Sequence, residues 1–333
     1  MRLALVLLCA LAAGAPAMDV LFVGNSHTYV NDLPVLFRGL SEAGGWPVNV
    51  EMSAPGGYSL KQHSIYQPTI GLINGTAWDY VVLQEQSQIP AINWCRDSLM
   101  HPAARSLEAL IAARGAQTAF YLTWGWRDGG VQTYGGHSSP DFRDYFEMQD
   151  SVTVSYRMIA DELAAVLVPV GEAWRNARLL NPGIDLWQDD ECHATLKGTY
   201  LGACVFYAVL HGEDPTGLAF HGGLSPADAR WLQEVAWQTV SGIAERPVEA
   251  VGGAGLVVPS PLRPGMSLRC RQTIRLFAPD GRLAAELRPR DGRVTWDGRD
   301  CRGRPVPAGV YLCVGGGVAR PVVLAPGSRG AGR

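Results

Sequence analysis

The 333-residue chain has no marked excess of charge of either sign, no second long apolar run after its first, and no second histidine-rich segment at metal-ligand spacing. Each absence closes a class of function. With 28 Lys and Arg against 31 Asp and Glu, a formal charge of −3, it offers no broad basic field for nucleic acid. Beyond residues 3–13 no stretch approaches the roughly 20 apolar residues a membrane-spanning helix needs, so no membrane span is expected. Asp189, Asp190, Glu191, Cys192 and His193 crowd metal-capable groups together, but adjacent residues cannot all converge on one ion and no partner set follows. Neither metal nor cofactor is therefore expected. A long amphipathic lid of the kind that covers an acyl tunnel is missing as well.

Cysteine is sparse, with seven in all. Setting aside Cys9, three fall in each half: Cys95, Cys192 and Cys204, then Cys270, Cys301 and Cys313. Neither half can pair all its own, so either one bond bridges the halves or two thiols stay free; the sequence does not choose a connectivity. Cys192 is read as a small buried filler, the alternative being a bridge that rigidifies its neighbour His193.

What is present begins with the first 17 residues. One Arg, an apolar run from Leu3 to Ala13 and the small residues Ala15-Pro16-Ala17 form the three-part pattern of a secretory signal peptide with an Ala-x-Ala-like cleavage site. Leu8 before Cys9 argues against a lipoprotein anchor. The expected location is secreted, periplasmic or cell-surface.

Apolar runs at 19–23, 48–52, 80–83, 118–122 and 166–170 alternate with helical patterns over 33–43, 60–73, 99–114 and 144–165, and two further helices over 195–210 and 226–244. Strands alternating with helices predict a three-layer α/β/α parallel sheet, whose ligands bind at the carboxyl ends of the strands. Ser26, Gly56, Gln86 and Trp124 all follow strands and are expected on one rim. A Gly-, Pro- and Val-rich linker is expected over 246–262. Alternating strands and turn signals at Pro279-Asp280-Gly281 and Asp291-Gly292 then predict a small antiparallel β-sandwich over 263–326, with a disordered tail over 327–333.

Chemistry concentrates at two places. In Gly24-Asn25-Ser26-His27-Thr28 an apolar strand stops at a glycine and a hydroxyl opens a helix, so Ser26 is either a helix cap or a nucleophile beside N–H groups that favour an oxyanion. Far downstream, Asp190-Glu191-Cys192-His193 lets a carboxylate fold back onto one imidazole nitrogen, leaving the other free to face a hydroxyl. A serine hydroxyl needs such an oriented neutral imidazole as general base, so Ser26, His193 and Asp190 form a chemically complete set.

With these residues the chain resembles the SGNH (GDSL-type) hydrolases over about residues 18–245. Gly24-Asn25-Ser26-His27-Thr28 is similar to their first block, Ala54-Pro55-Gly56-Gly57-Tyr58-Ser59-Leu60 to their second and Asp190-Glu191-Cys192-His193 to their last. The third block departs: Gln84-Glu85-Gln86-Ser87 stands where the family carries Gly-x-Asn. The resemblance implies a flavodoxin-like fold and a serine esterase. Its oxyanion would be met by the N–H of Ser26, the N–H of Gly56 or Gly57 and the Gln86 amide. Substrates would be O-acyl esters, with O-acetyl groups on carbohydrate preferred. A lipase or phospholipase, or a non-catalytic glycan- or surface-binding protein on the same scaffold, are the alternatives.

Trp124 and Trp126 are candidate platforms for a sugar or acyl group, with core or lid packing as the competing reading for each. Gln84 and His27 complete the candidate substrate contacts, although a helix-start His27 is expected to face solvent. Glu85 is expected to be a solvated or hydrogen-bonded charge without a role. His137 is expected on a mobile loop, His63 and His101 within helices as structural residues. Words such as Phe277-Ala278-Pro279-Asp280-Gly281-Arg282 and Trp296-Asp297-Gly298-Arg299-Asp300 resemble the FlgD-type immunoglobulin-like module of exported bacterial proteins, which implies a spacer, a surface attachment or a contact with secretion machinery.

Overall fold

The chain divides into two compact units, residues 1–245 and 246–333. The structure, a computed structural model, describes residues 17–244 and, beyond them, 267–269, 273–278, 283–290, 293–300, 302–306, 309–315 and 318–324. The expected leader (but for Ala17), the linker over 246–262, the Pro279-Asp280-Gly281 and Asp291-Gly292 turns, Cys270, Cys301 and the tail lie outside the described residues.

In the first unit the strands are β1 (Met18–Val23), β2 (Val48–Ser53), β3 (Tyr80–Leu83), β4 (Gln117–Tyr121), β5 (Gly130–Tyr134), β6 (His137–Phe142) and β7 (Val166–Val168). Five of them form one parallel sheet in the order β2-β1-β3-β4-β7. The helices are α1 (Ser26–Tyr29), α2 (Leu33–Ala43), α3 (Leu60–His63), α4 (Gln67–Gly75), α5 (Asn93–Cys95), α6 (His101–Ala112), α7 (Tyr145–Leu163), α8 (Val170–Leu180), α9 (Leu196–His211) and α10 (Pro226–Ala244). Val20 and Phe22 join one core with Phe37 of α2, Trp174 of α8, Phe206 of α9 and Leu232 of α10. Leu21 and Val23 point the other way, to a second core with Leu107 of α6 and Val152 and Tyr156 of α7. That period-two split with both faces covered is why β1 reads as an unbroken apolar run. The architecture is the flavodoxin-like α/β/α sandwich expected.

Strand order reverses between β1 and β3, and in such sheets the crevice opens at that point, beyond the carboxyl ends of the two strands. The residues that follow them are Gly24 to Ser26 and Gln84 to Ser87.

Three local expectations are corrected. The helix expected over 60–73 is two, because Pro68 near the start of α4 cannot continue a helix from α3. The strand expected to reach Val170 ends at Val168, and α8 begins at Val170. His137 is not on a mobile loop: it opens β6 of an antiparallel hairpin and its ring stacks on Trp94 at 3.6 Å.

The second unit holds β8 (Ser267–Arg269), β9 (Ile274–Phe277), β10 (Leu283–Leu287), β11 (Arg293–Thr295), β12 (Gly309–Gly315) and β13 (Val318–Leu324). They form an antiparallel sheet, β10-β9-β12-β13, and a two-stranded sheet, β11-β8, with Ile274, Leu276, Trp296 and Cys313 in a core of their own.

Candidate active site

The turn after β1 is set by packing. A Cβ at Gly24 would lie 2.4 Å from Thr28 Oγ1 and 2.5 Å from Gln84 Oε1, so the glycine is required by the Gln84 side chain beneath the turn rather than by an approaching substrate. Gln84 is fully buried. Its Oε1 accepts from Asn25 N at 2.8 Å and Thr28 Oγ1 at 2.9 Å, and its Nε2 donates to Asn25 Oδ1 at 3.0 Å. Asn25, not Ser26, is the helix cap: its Oδ1 accepts from His27 N at 3.1 Å while its Nδ2 donates to Tyr58 O at 2.8 Å. Ser26 is thereby released to open α1, a helix of four residues in which few peptide dipoles add up.

The second half of the site is the loop between α8 and α9. Asp190 Oδ1 accepts the backbone N–H groups of Cys192 at 3.0 Å and His193 at 2.9 Å. Its Oδ2 takes the Nδ1–H of His193 at 2.5 Å. The free nitrogen, Nε2, receives the hydroxyl of Ser26 at 2.8 Å. Partial burial works to raise the Asp190 pKa, but the His193 side chain and the two backbone N–H groups outweigh it and hold the carboxyl at about 2. It is thus ionised whenever the imidazole must be oriented.

Polar pins fix this loop. Gln188 donates its N–H to His193 O at 2.8 Å and its Nε2 to Ala194 O at 2.8 Å. Trp124 Nε1 donates to Cys192 O at 2.8 Å, and Asn31 Nδ2 to Ala194 O at 2.9 Å. Arg127 N donates to Glu191 O at 3.0 Å, and the two side chains form an ion pair. Asn31 escaped the sequence reading; with Asp32 it takes a left-handed backbone, and the Asn-Asp pair is the turn signal that could have exposed it.

A cleft of about 480 Å³ opens here, and Ser26, His27, Gly56, Gly57, Gln86 and Trp126 of the candidate residues line it together with Asp190, Cys192 and His193. Tyr29, Asn25 and Ser87, not singled out beforehand, line it too. Gly57 has φ +71°, a conformation that favours glycine. Gln86 Oε1 accepts from Gln88 N at 2.8 Å and Ile89 N at 3.3 Å, and its Nε2 donates to Gln88 Oε1 at 3.3 Å, so both ends of the amide are oriented by the turn.

Two candidate substrate contacts are corrected. Gln84 is buried beneath the turn, as above, and does not reach the cleft. Trp124 is 1% exposed and lies between His27, at 4.6 Å, and Trp174, at 3.9 Å, both stacked, so it packs and pins rather than presents a platform. His27 does not face solvent. Burial, then the charge His193 would carry, lower its pKa to about 3, so it stays neutral beside the imidazole. Its Nε2 lies 3.4 Å from the thiol of Cys192, which is free, as are Cys95 and Cys204. Glu85 is not solvated but wholly buried. His63 and His101 are buried with their rings hydrogen-bonded, His63 to Thr69 Oγ1 and Gly24 O, His101 to Ser155 O. No helix among the described residues is long and apolar enough to cross a membrane.

No family model and no curated relative matches the chain. Among solved structures, a DUF4886 family protein from Bacteroides uniformis matches with a TM-score of 0.57 at 19% identity, covering 68% of this chain and 95% of its own. A protein described as an SGNH hydrolase from Slackia heliotrinireducens matches with a TM-score of 0.46 at 26% identity, over 59% of this chain and 100% of its own. A protein described as a GDSL-like lipase from Parabacteroides merdae does so with a TM-score of 0.44 at 15% identity, over 59% and 96%. The Bacteroides likeness carries the fold and nothing finer.

Proposed function

We infer that the first unit is a serine hydrolase of ester bonds. One observation carries the reading: a continuous hydrogen-bonded line from Ser26 Oγ through both nitrogens of His193 to Asp190, at 2.8 and 2.5 Å. Ser26 attacks the ester carbonyl as His193 Nε2 takes its proton. Collapse of the tetrahedral intermediate releases the alcohol, protonated by His193. Water then repeats the sequence on the acyl-serine and frees the acid. Asp190 keeps Nδ1 protonated and stabilises the imidazolium. The oxyanion is received by Ser26 N–H, which as the first of its helix has no intrahelical acceptor, by Gly56 or Gly57 N–H, and by the oriented Gln86 amide.

The cleft, lined by the polar side chains of Gln86, Ser87 and Asn25 and by the rings of Trp126 and Tyr29, suits a small acyl group on a polar alcohol. O-acetyl esters of carbohydrate are the proposed substrates. The proposal also takes residues 1–17 as an export leader and the second unit as a FlgD-like attachment or sorting module.

Hydrolysis of a chromogenic acetate ester tests the reading. Ser26→Ala and His193→Ala should each lower kcat by about 10⁴-fold or more with the melting temperature nearly unchanged. Gln86→Ala should cost about 10²–10³-fold. Equal rates for wild type and Ser26→Ala would sink the hydrolase and favour a binding protein on this scaffold.

A further inference from the structure

Glu85 stands two residues past the end of β3, next to Gln86, and has no exposed surface. Its Oε1 accepts two backbone N–H groups, from Gln86 at 2.7 Å and from Leu60 at 3.0 Å, and its own N–H donates to the Tyr156 hydroxyl at 3.0 Å. Its second oxygen, Oε2, is buried with no partner among the described residues. Leu60 opens α3 directly after the loop that brings Gly56 and Gly57 to the cleft, and Gln86 lines the same cleft. Neither loop is otherwise tied to the other by a hydrogen bond at these positions among the described residues.

We propose that Glu85 is a positioning residue: one carboxyl oxygen clasps the glycine loop and the Gln86 turn together, and so sets the N–H groups and the amide that meet the oxyanion. The proposal rests on the hydrolase reading.

The clasp works as the neutral acid. An ionised carboxylate would present a bare Oε2 to an apolar interior, where an unpaired charge is far costlier than an unpaired hydroxyl. Burial, acting against the Gln86 and Leu60 N–H bonds, pushes the Glu85 pKa up to about 8. The titratable groups around it bring no counter-charge. Tyr156 of α7 gives a hydroxyl, Cys95 of α5 a free thiol whose pKa is raised first by burial and then by Glu85 itself, and His63 of α3 is held by Thr69 and Gly24 O. Arg96 is engaged with Asp97 and Asn93.

The sign follows. An acid whose pKa is raised from 4.5 to about 8 in the folded chain gives its full contribution to stability below about pH 4.5 and loses it as pH rises through about 8. Above that, the clasp carries a charge that draws it toward water.

The full chain is assayed on a chromogenic acetate ester, with kcat, KM and melting temperature followed from about pH 5 to about pH 9.5 for wild type, Glu85→Gln, Glu85→Ala and Ser26→Ala. Wild-type kcat should fall above about pH 8. Glu85→Gln, which keeps the Oε1 acceptor and cannot ionise, should stay within about threefold of wild type at pH 7 and remain level beyond about pH 8. Its melting temperature should gain on wild type progressively up to about pH 8. Glu85→Ala should lose about tenfold or more in kcat with KM changed less than about threefold, the mark of a loss confined to the transition state. A Glu85→Gln profile that falls with wild type, or a Glu85→Ala enzyme with wild-type kcat, overturns the proposal. If Glu85→Ala does not fold, the Glu85→Gln profile decides. Turnover equal in wild type and Ser26→Ala overturns the hydrolase reading instead. The melting curves then decide alone: a Glu85→Gln gain that widens with pH supports the neutral clasp, and a constant difference overturns it.

Discussion

The serine and the histidine meet from opposite kinds of surroundings. Ser26 stands on a turn whose neighbours Gly24, Asn25, His27 and Thr28 are buried and whose position follows from Gln84 and the core behind β1. His193 and Asp190 ride a loop in which Asp190 is exposed and His193 partly so, held by hydrogen bonds onto its carbonyl oxygens. The first half is fixed by shape, the second by a set of separable polar pins. Packing errors propagate through a core, whereas one pin of several can be lost with the rest in place. A given insult should therefore cost fold and turnover together on the serine side, and mainly turnover on the histidine side.

The sharpest break is Gly24→Ala. Its methyl would strike Thr28 and Gln84, so about 1–3 kcal/mol of stability should go. The displaced turn should lower kcat about 10²-fold, since a misplacement of about 1 Å suffices for that. Chemical denaturation and ester kinetics on one preparation read both. An enzyme that lost activity with its stability intact would mean that the glycine serves substrate after all. On the loop side, Trp124→Phe keeps a ring between His27 and Trp174 but deletes the donor to Cys192 O. It should cost about 1 kcal/mol in stability and about tenfold in kcat. Smallest is Arg127→Ala, which removes a half-exposed ion pair with Glu191 while leaving the backbone bond to Glu191 O. Less than about threefold in kcat and no measurable change in melting temperature are expected. A large effect there would show that the loop has fewer independent pins than the comparison assumes.

Much of this was legible in the sequence, for reasons that also explain the rest. Buried parallel strands such as β1 and β3 declare themselves as continuous apolar runs, and α2, α9 and α10 through their helical patterns, the last with Ser225 before Pro226 as its start signal. The Asp190 and His193 pairing is a local matter of three residues and was visible for that reason. The β5–β6 hairpin was not, because its polar, glycine-flanked residues carry no alternation. The fates of Trp124, His27 and Glu85 depend on rings and helices 50 or more residues away, Trp174 at 3.9 Å and Tyr156 at 3.0 Å, which no local pattern encodes. A tryptophan after a strand looks alike whether it ends at the rim or under it.

The separation of 167 positions between Ser26 and His193 has a consequence for synthesis. β1 precedes the other strands of its sheet in synthesis yet sits inside it, paired with β2 and β3, and the imidazole arrives only as the polypeptide approaches α9. Until then a nascent chain, or a fragment cut short before the loop, carries the alcohol without its base. Such sequence-distant contacts form late in folding. Ester cleavage, on this reading, switches on in a single step when the first unit is nearly complete.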